Sequence, residues 1–303
     1  MEKRGYPTDF CAAVTAASGL IAPIIPPGNL MILYAVMAEC SIGQMFAAGY
    51  IPGILMRAVE MMIVSYISHK RHYAPSRETK ASFREVLTGL KESVWALLIA
   101  VVLIIGVRFG FFTITEGAVV VIILSFIVGF FIYKELKGSD IPLIFVESFR
   151  STASIMMMII GALCFGMYLS WARIPQNISA WMLSISSNAM VFMVMAMVLI
   201  LIFGMFLDGT ALLMIMTPLL WPVAQEYGIN VYQFGILMIV NASIGSLTPP
   251  VGGLMYVCCN ITKVGIPAFV RQALPFIIGL TLLLIVMMFV PQIITFLPNL
   301  IYG

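Results

Sequence analysis

The chain has 303 residues, 62% of them hydrophobic and 10% charged, with a formal net charge of +3 and a mean hydropathy of +1.08. Soluble domains carry roughly 25% charged residues, so this composition excludes one and points to an all-α polytopic membrane protein. The apolar runs are continuous rather than alternating over about ten residues, which excludes a transmembrane β-barrel, and no basic, aromatic-interleaved patch points to nucleic acid.

Met1-Glu2-Lys3-Arg4-Gly5 leads into an apolar segment of full membrane length, not the shorter core of a signal peptide. Candidate spans follow at Phe10–Met37, Gln44–Ser68, Ser93–Val107, Glu116–Tyr133 and Phe149–Trp171. A pair, Met190–Leu207 and Thr210–Ala224, comes next, then Val231–Cys258 and Pro267–Leu297. Only Asp208 and Gly209 separate the paired arms, and the second is short for a crossing, so a re-entrant hairpin is expected. Two ordinary helices with a tight turn are the alternative.

The basic residues give the orientation. Lys70, Arg71, Arg77, Lys80, Arg84 and Lys91 crowd the loop His69–Glu92, which is therefore cytoplasmic. Alternation then places Lys3, Arg4, Lys134, Lys137, Lys263 and Arg271 on the same side, leaves Arg108 and Arg173 outside, and puts the C-terminus in the periplasm. His69 and His72 read as solvated loop residues. Cys11, Cys40, Cys164, Cys258 and Cys259 lack metal-like spacing and read as small packing residues. Arg57 and Glu60, at i and i+3 inside a span, are a neutralising pair or a proton relay. Thr113-Ile114-Thr115-Glu116 has the spacing of a capping box. Ile178–Ser187 is short and amphipathic, with Trp181 among Ser and Asn, and is expected at the membrane interface.

The most informative stretch is N-A-S-I-G-S-L-T-P-P-V-G-G, Asn241 to Gly253. Pro249 and Pro250 remove two backbone donors and free carbonyls one turn back, while Gly245 and Gly252 permit unwinding. In hydrocarbon such a break must line a cavity or be buried in protein, and it marks an ion or substrate site. An offset of 223 residues lays Pro26-Pro27 on Pro249-Pro250 and also matches Ile21 with Ile244, Phe46 with Phe269 and Pro52 with Pro275. With the orientation above, the two units form an inverted repeat. At this offset the hairpin maps to positions before Met1, so its first-repeat counterpart is expected in a longer parent chain.

The residues suggest chemistry at these breaks. A sodium ion suits carbonyls freed at Gly245–Thr248, the Thr248 hydroxyl and the Asp208 carboxylate, unless Asp208 only caps the second arm. A substrate carboxylate suits amides near Gly28–Asn29 and Val251–Gly253, where half-helices begin. Asn29 and Asn241 either add bonds to it or tie helices together. No H-E-x-x-H, paired intramembrane Asp or Ser–His arrangement supports an intramembrane enzyme.

S-G-L-I-A-P-I-I-P-P-G-N (18–29), F-A-A-G-Y-I-P-G (46–53), F-F-T-I-T-E-G-A (111–118), G-M-F-L-D (204–208), T-P-L-L-W-P-V-A (217–224) and F-G-I-L-M-I-V-N-A-S-I-G-S-L-T-P-P-V-G (234–252) occur in this order. Together they make the chain resemble the large membrane subunit of tripartite ATP-independent periplasmic (TRAP) transporters. The resemblance covers essentially the whole chain, and the family pattern begins further upstream, with a first hairpin tipped by Ser-Gly-Ser. It implies a sodium-driven elevator importer of small carboxylates (C4-dicarboxylates, sialic acid or other sugar acids) in a bacterial inner membrane, with sodium as coupling ion and no cofactor. It also implies two partners, a small membrane subunit and a periplasmic substrate-binding protein. Carried over by position, one sodium site comprises Gly204, Asp208, Thr210, Gly245, Thr248 and Pro249, and the other includes Gly19 and Pro26. Gly28, Asn29, Asn241 and Gly252 are the expected substrate contacts. Residues 1–37 and 188–260 then belong to the transport region, 38–187 to a scaffold and 261–303 to a last membrane helix. Two departures stand out: Gly28 where the family commonly has Ser, and Ile114 where Pro is common. A self-sufficient divalent-anion/sodium symporter is the rival carrier, and an inactive permease fragment the remaining alternative.

Overall fold

The computed structural model describes residues 1, 6–71, 73, 82–108, 111–174, 177, 180–181 and 188–302. The described residues form helices, with no strand among them. By contacts they group into two compact units: Met1–Ala74 with Met158–Gly303, and Pro75–Met157.

The second unit contains α4 (Phe83–Arg108), α5 (Ile114–Ile127) and the start of α6 (Ile141–Trp171). Helix α5 starts where the sequence expects. The Glu116 N–H donates to Thr113 Oγ1 (3.3 Å), and the Thr113 N–H donates to Glu116 Oε2 (2.7 Å), closing the capping box. Helix α4 begins ten residues before the expected Ser93, because charged residues extend a helix beyond the membrane without penalty, and α6 begins eight residues before the expected Phe149, over the largely apolar stretch Ile141–Ser148. Accordingly, the loop expected over His69–Glu92 is shorter: α3 runs through Lys70 and α4 starts at Phe83. His72, Arg77 and Lys80 lie outside the described residues, as does most of the Ile178–Ser187 segment.

The first unit holds both breaks. Helix α1 (Thr8–Gly19) stops, the chain passes Pro26-Pro27, and α2 (Asn29–Met37) begins. Further on, α9 (Val231–Leu247) stops, the chain passes Pro249-Pro250, and α10 (Gly253–Thr262) begins. Both Pro–Pro bonds are cis. The 223-residue offset carries Thr8, the start of α1, onto Val231, the start of α9. It also brings Pro52 inside α3 (Ile42–Lys70) onto Pro275 inside α11 (Ile266–Phe289).

How the halves pair is more telling. Helix α1 packs against α10, and α2 packs against α9. Two broken helices lying parallel would match first half with first half; this crossed pairing is that of chains running in opposite directions, as an inverted repeat requires.

Helices α7 (Ala189–Gly204) and α8 (Gly209–Glu226) pack on each other across the short turn 205–208, forming the expected helical hairpin. Phe192 stacks on Tyr227 (centroids 4.9 Å apart) and on Phe234 (6.2 Å), and Trp221 meets Phe234, so aromatics bind the base of the hairpin to α9. Helix α7 is fastened to α9 at closer range as well. The buried Asn241 amide donates to the Met197 carbonyl. Beyond it Gly204 and Gly245 meet backbone to backbone: a Cβ on Gly245 would sit 2.7 Å from the Gly204 carbonyl carbon.

One expected span divides. In place of a helix through Leu297, α11 ends at Phe289 and α12 (Gln292–Tyr302) follows. Pro291 removes a backbone donor and drives Val290 out of the helical region (φ −120°, ψ 76°). At 11 residues, about 16 Å, α12 is too short to cross a membrane alone, and it packs on α3 and α9. Among the described residues four stretches are long and apolar enough to cross: 42–70, 115–132, 138–169 and 266–289.

A polar network closes the start of α1. Gln272 of α11 donates from Nε2 to Asp9 Oδ2 and accepts from Arg71 Nη1 at the end of α3, both at 2.7 Å. Tyr73 meets Tyr6 and Phe10 beside it.

These contacts set expectations for stability. Gly245→Ala should cost about 1–3 kcal/mol from the backbone collision, and Gly204→Ala less than about 1 kcal/mol, because its Cβ would reach only 3.4 Å from Gly245. Both sites are helical, so the propensity gain is shared and the difference in thermal midpoint in detergent isolates the collision. Gln272→Leu should cost about 1 kcal/mol by removing its two hydrogen bonds to Asp9 and Arg71; a midpoint unchanged within error would show that the network contributes nothing.

Candidate functional site

Five parts of the chain meet at one cavity of about 440 Å³. The end of α1 and the first break give Gly19, Leu20 and Pro23, and the start of α2 gives Asn29 and Leu30. The hairpin turn gives Asp208, Gly209 and Thr210, α9 gives Ala242, Ser243 and Ser246, and the start of α10 gives Gly253, Leu254 and Val257.

Three helices therefore begin at this cavity: α2 at Asn29, α8 at Gly209 and α10 at Gly253. A helix N-terminus carries roughly half a positive charge and several unbonded N–H groups. Neither α2 nor α10 has a side-chain cap. Helix α8 does: the Thr210 N–H donates to Asp208 Oδ2 at 2.9 Å. Among the described residues no Lys or Arg lines the cavity. Its positive potential comes from backbone, and the formal charge in its lining is the Asp208 carboxylate.

Gly252 seats the start of α10. It has φ +48°, a left-handed conformation that favours glycine, and its N–H donates to the Met205 carbonyl at 2.9 Å. That bond joins the hairpin turn to the second break.

Of the residues singled out from sequence, Gly19, Asn29, Asp208 and Thr210 line the cavity. Asp208 caps α8 through Oδ2 while its side chain stays exposed, so capping and ion contact are compatible. Asn29 Oδ1 accepts from the Leu30 N–H (2.9 Å). Thr248 stands at the end of α9, and its hydroxyl donates to the Ile244 carbonyl at 2.8 Å, leaving its oxygen free to accept. Pro249 follows it, outside the lining, and Pro26 is buried in the first break. Gly204 and Gly245 form the interhelical contact described above. Asn241, 1% exposed, makes the helix-to-helix bond rather than facing the cavity. Gly28 is the residue before α2, and a Cβ there would collide with the Pro23 carbonyl oxygen, so this backbone leaves no room for a side chain.

Sequence reasoning missed Ser243 and Ser246. Their hydroxyls donate to the Ile239 carbonyl (2.9 Å) and the Ser243 carbonyl (2.7 Å), leaving oxygen lone pairs beside the cavity. The signal was two serines three apart in the last turns before a break, where i and i+3 share a helix face. These hydroxyl oxygens, the Asp208 carboxylate and the Asn29 amide form a set of hard oxygen donors that suits an alkali cation. The uncapped amides suit an anion.

A family model described as tripartite ATP-independent periplasmic transporter, DctM component, matches residues 1–293. The chain is 34% identical over 299 residues to the C4-dicarboxylate TRAP transporter large permease protein DctM of Pseudomonas aeruginosa, covering 99% of this chain and 70% of that one. It is 35% identical over 304 residues to the sialic acid TRAP transporter large permease protein SiaM of Vibrio cholerae, covering 100% and 70%. With the sialic acid TRAP transporter permease protein SiaT of Haemophilus influenzae it shares 34% over 300 residues, 99% of this chain and 48% of that one. Crossed broken helices, a helical hairpin docked on the second break and this coverage lead to one conclusion: the chain belongs to the DctM family of TRAP transporter permeases.

Proposed function

We propose that the chain works as the large permease subunit of a sodium-coupled, binding-protein-dependent importer of small organic acids. The observation that carries this reading is the meeting of three helix N-termini at one cavity without a basic side chain among its described lining residues. Backbone amides attract a carboxylate, yet leave no fixed cation to hold it after the coupling ion departs. The substrate carboxylate is placed at the uncapped starts of α2 and α10. Sodium is placed by Asp208, the Ser243 and Ser246 oxygens, and carbonyls freed at the breaks. Each charge then offsets the other, so the two bind best together and leave together.

The C4-dicarboxylate and sialic acid names of the relatives support a small acid as cargo. By the same family kinship, a periplasmic binding protein delivers the acid and a small membrane subunit supports the moving part. The broken helices and the hairpin are the carrying region. The basic segment around Lys70 and Arg71 faces the cytoplasm, and the C-terminus the periplasm.

In proteoliposomes holding the assembled transporter, uptake should need both sodium and the binding protein; full uptake without the binding protein would overturn the tripartite reading. Asp208→Asn should keep the α8 cap, and hence thermal stability, but abolish sodium dependence, whereas Asp208→Ala should also lose about 1 kcal/mol of stability. A Cβ added to Gly253 would meet no atom within 4 Å. Gly253→Asp should therefore be accommodated but raise KM for the acid about tenfold or more by placing a fixed anion at the α10 N-terminus, with Gly253→Ala near the parent value. Equal KM for both variants would remove α10 from the site.

A further inference from the structure

A second cavity, of about 300 Å³, lies on the other side of α1. Val14 and Ser18 of α1, Arg57, Glu60, Met61, Val64 and Ser65 of α3, and Phe276 of α11 line it. Ser18 here and Gly19 in the main cavity are consecutive residues, so the end of α1 is the wall between the two.

Glu60 is the unusual group. It is 2% exposed, and neither of its carboxylate oxygens has a hydrogen-bond partner among the described residues. The nearest cation, Arg57 Nη1, stands 3.7 Å from Oε2, beyond hydrogen-bond distance, on a side chain that is 56% exposed. Helix α3 is a membrane-crossing helix, and Glu60 lies ten residues before its end at Lys70, about 15 Å along the axis and near the middle of a ~30 Å hydrocarbon layer. A carboxylate at such a depth needs a close counter-charge, several donors or a proton. Donors are missing, and the counter-charge is loosely held. The oxygens each expose under 1 Å², which leaves no room on them for water or a metal ion. A proton needs no room.

Other charges do not compete. Of the helices packed on α3, α1 presents Val14 and Ser18 to this cavity and α11 presents Phe276. Arg271 of α11 lines a different cavity with Val59 and Met62. Asp9 and Arg71 each bond Gln272 at the end of α3. Tyr34 of α2, Tyr232 of α9 and Tyr302 of α12 lie near the opposite end of α3, at Cys40, Ser41 and Gly43. Arg57 is the charged group that faces Glu60 among the described residues.

We propose that Glu60 is a proton-binding site. Glu60 turns toward the second cavity, its carboxylate takes a proton from hydronium there and leaves water, and it returns the proton to water by the same route. Binding converts a neutral Arg57–Glu60 pair into a neutral acid beside a free guanidinium. The cavity then gains one positive charge next to the C-terminal end of α1, where the helix dipole favours a cation.

The test is spectroscopic and so independent of uptake. Infrared difference spectra of the protein reconstituted in lipid, taken between high and low pH, should contain the carbonyl stretch of a buried protonated carboxyl. The band should vanish in Glu60→Gln, shift in frequency but persist in Glu60→Asp, and be stronger at a given pH in Arg57→Gln, which lacks the opposing charge. A spectrum unchanged by Glu60→Gln, or a band indifferent to Arg57→Gln, would overturn the proposal and leave a structural ion pair. Should Glu60→Gln fail to fold, the Glu60→Asp and Arg57→Gln spectra decide alone.

Discussion

Inside a bilayer no water is present to satisfy a peptide group, and every interrupted helix must find partners in protein. This chain interrupts two helices and meets the demand within each break and from the hairpin turn. Gly252 gives its N–H to the Met205 carbonyl, the Thr248 hydroxyl and N–H fold back on the Ile244 and Gly245 carbonyls, and the Ile24 and Ile25 amides both bond the Ile21 carbonyl. The starts of α2 and α10, whose N-cap residues make no side-chain cap bond, come together around a shared cavity. The site is thus where the uncapped helix starts have been gathered. The crossed pairing of α1 with α10 and α2 with α9 turns the two new N-termini toward each other, where parallel helices would point both the same way.

The same constraint explains the placement of small residues. Packing between membrane helices gains little from burial of apolar surface alone, so close approach and hydrogen bonds decide which surfaces adhere. Gly204 against Gly245 provides the approach, and Asn241 against Met197 provides the bond. Larger side chains collect further from the breaks, at Phe192, Trp221, Tyr227 and Phe234, where helices need bulk between them. The contact between α7 and α9 therefore grades from aromatic at the hairpin base to glycine near its turn.

Much of this was legible in the sequence because proline and glycine act locally. Pro26-Pro27 and Pro249-Pro250 announce the breaks, Asp208-Gly209 the hairpin turn, and Thr113 with Glu116 the start of α5, each through its own backbone chemistry. Contacts between segments were less legible. Asn241 looks equally suited to substrate or to a neighbouring helix until Met197 is placed beside it. Ser243 and Ser246 are ordinary serines until α9 is rotated against α2. Pro291 carried a local signal of its own, since an interior proline in a long apolar run divides it as readily as it kinks it. The depth of Glu60 in its helix could be counted along the chain, but not the absence of hydrogen bonds to it.

The two ties between α7 and α9, with a third between the hairpin turn and the second break, have a mechanical consequence. Asn241 to Met197, Gly245 to Gly204 and Gly252 to Met205 follow one another along the length of α7, ending at the turn. A flap pinned once can pivot; pinned at successive points along its edge, it cannot hinge away without breaking the seam. The hairpin and the second break therefore form one plate, and any opening of the cavity carries the two together.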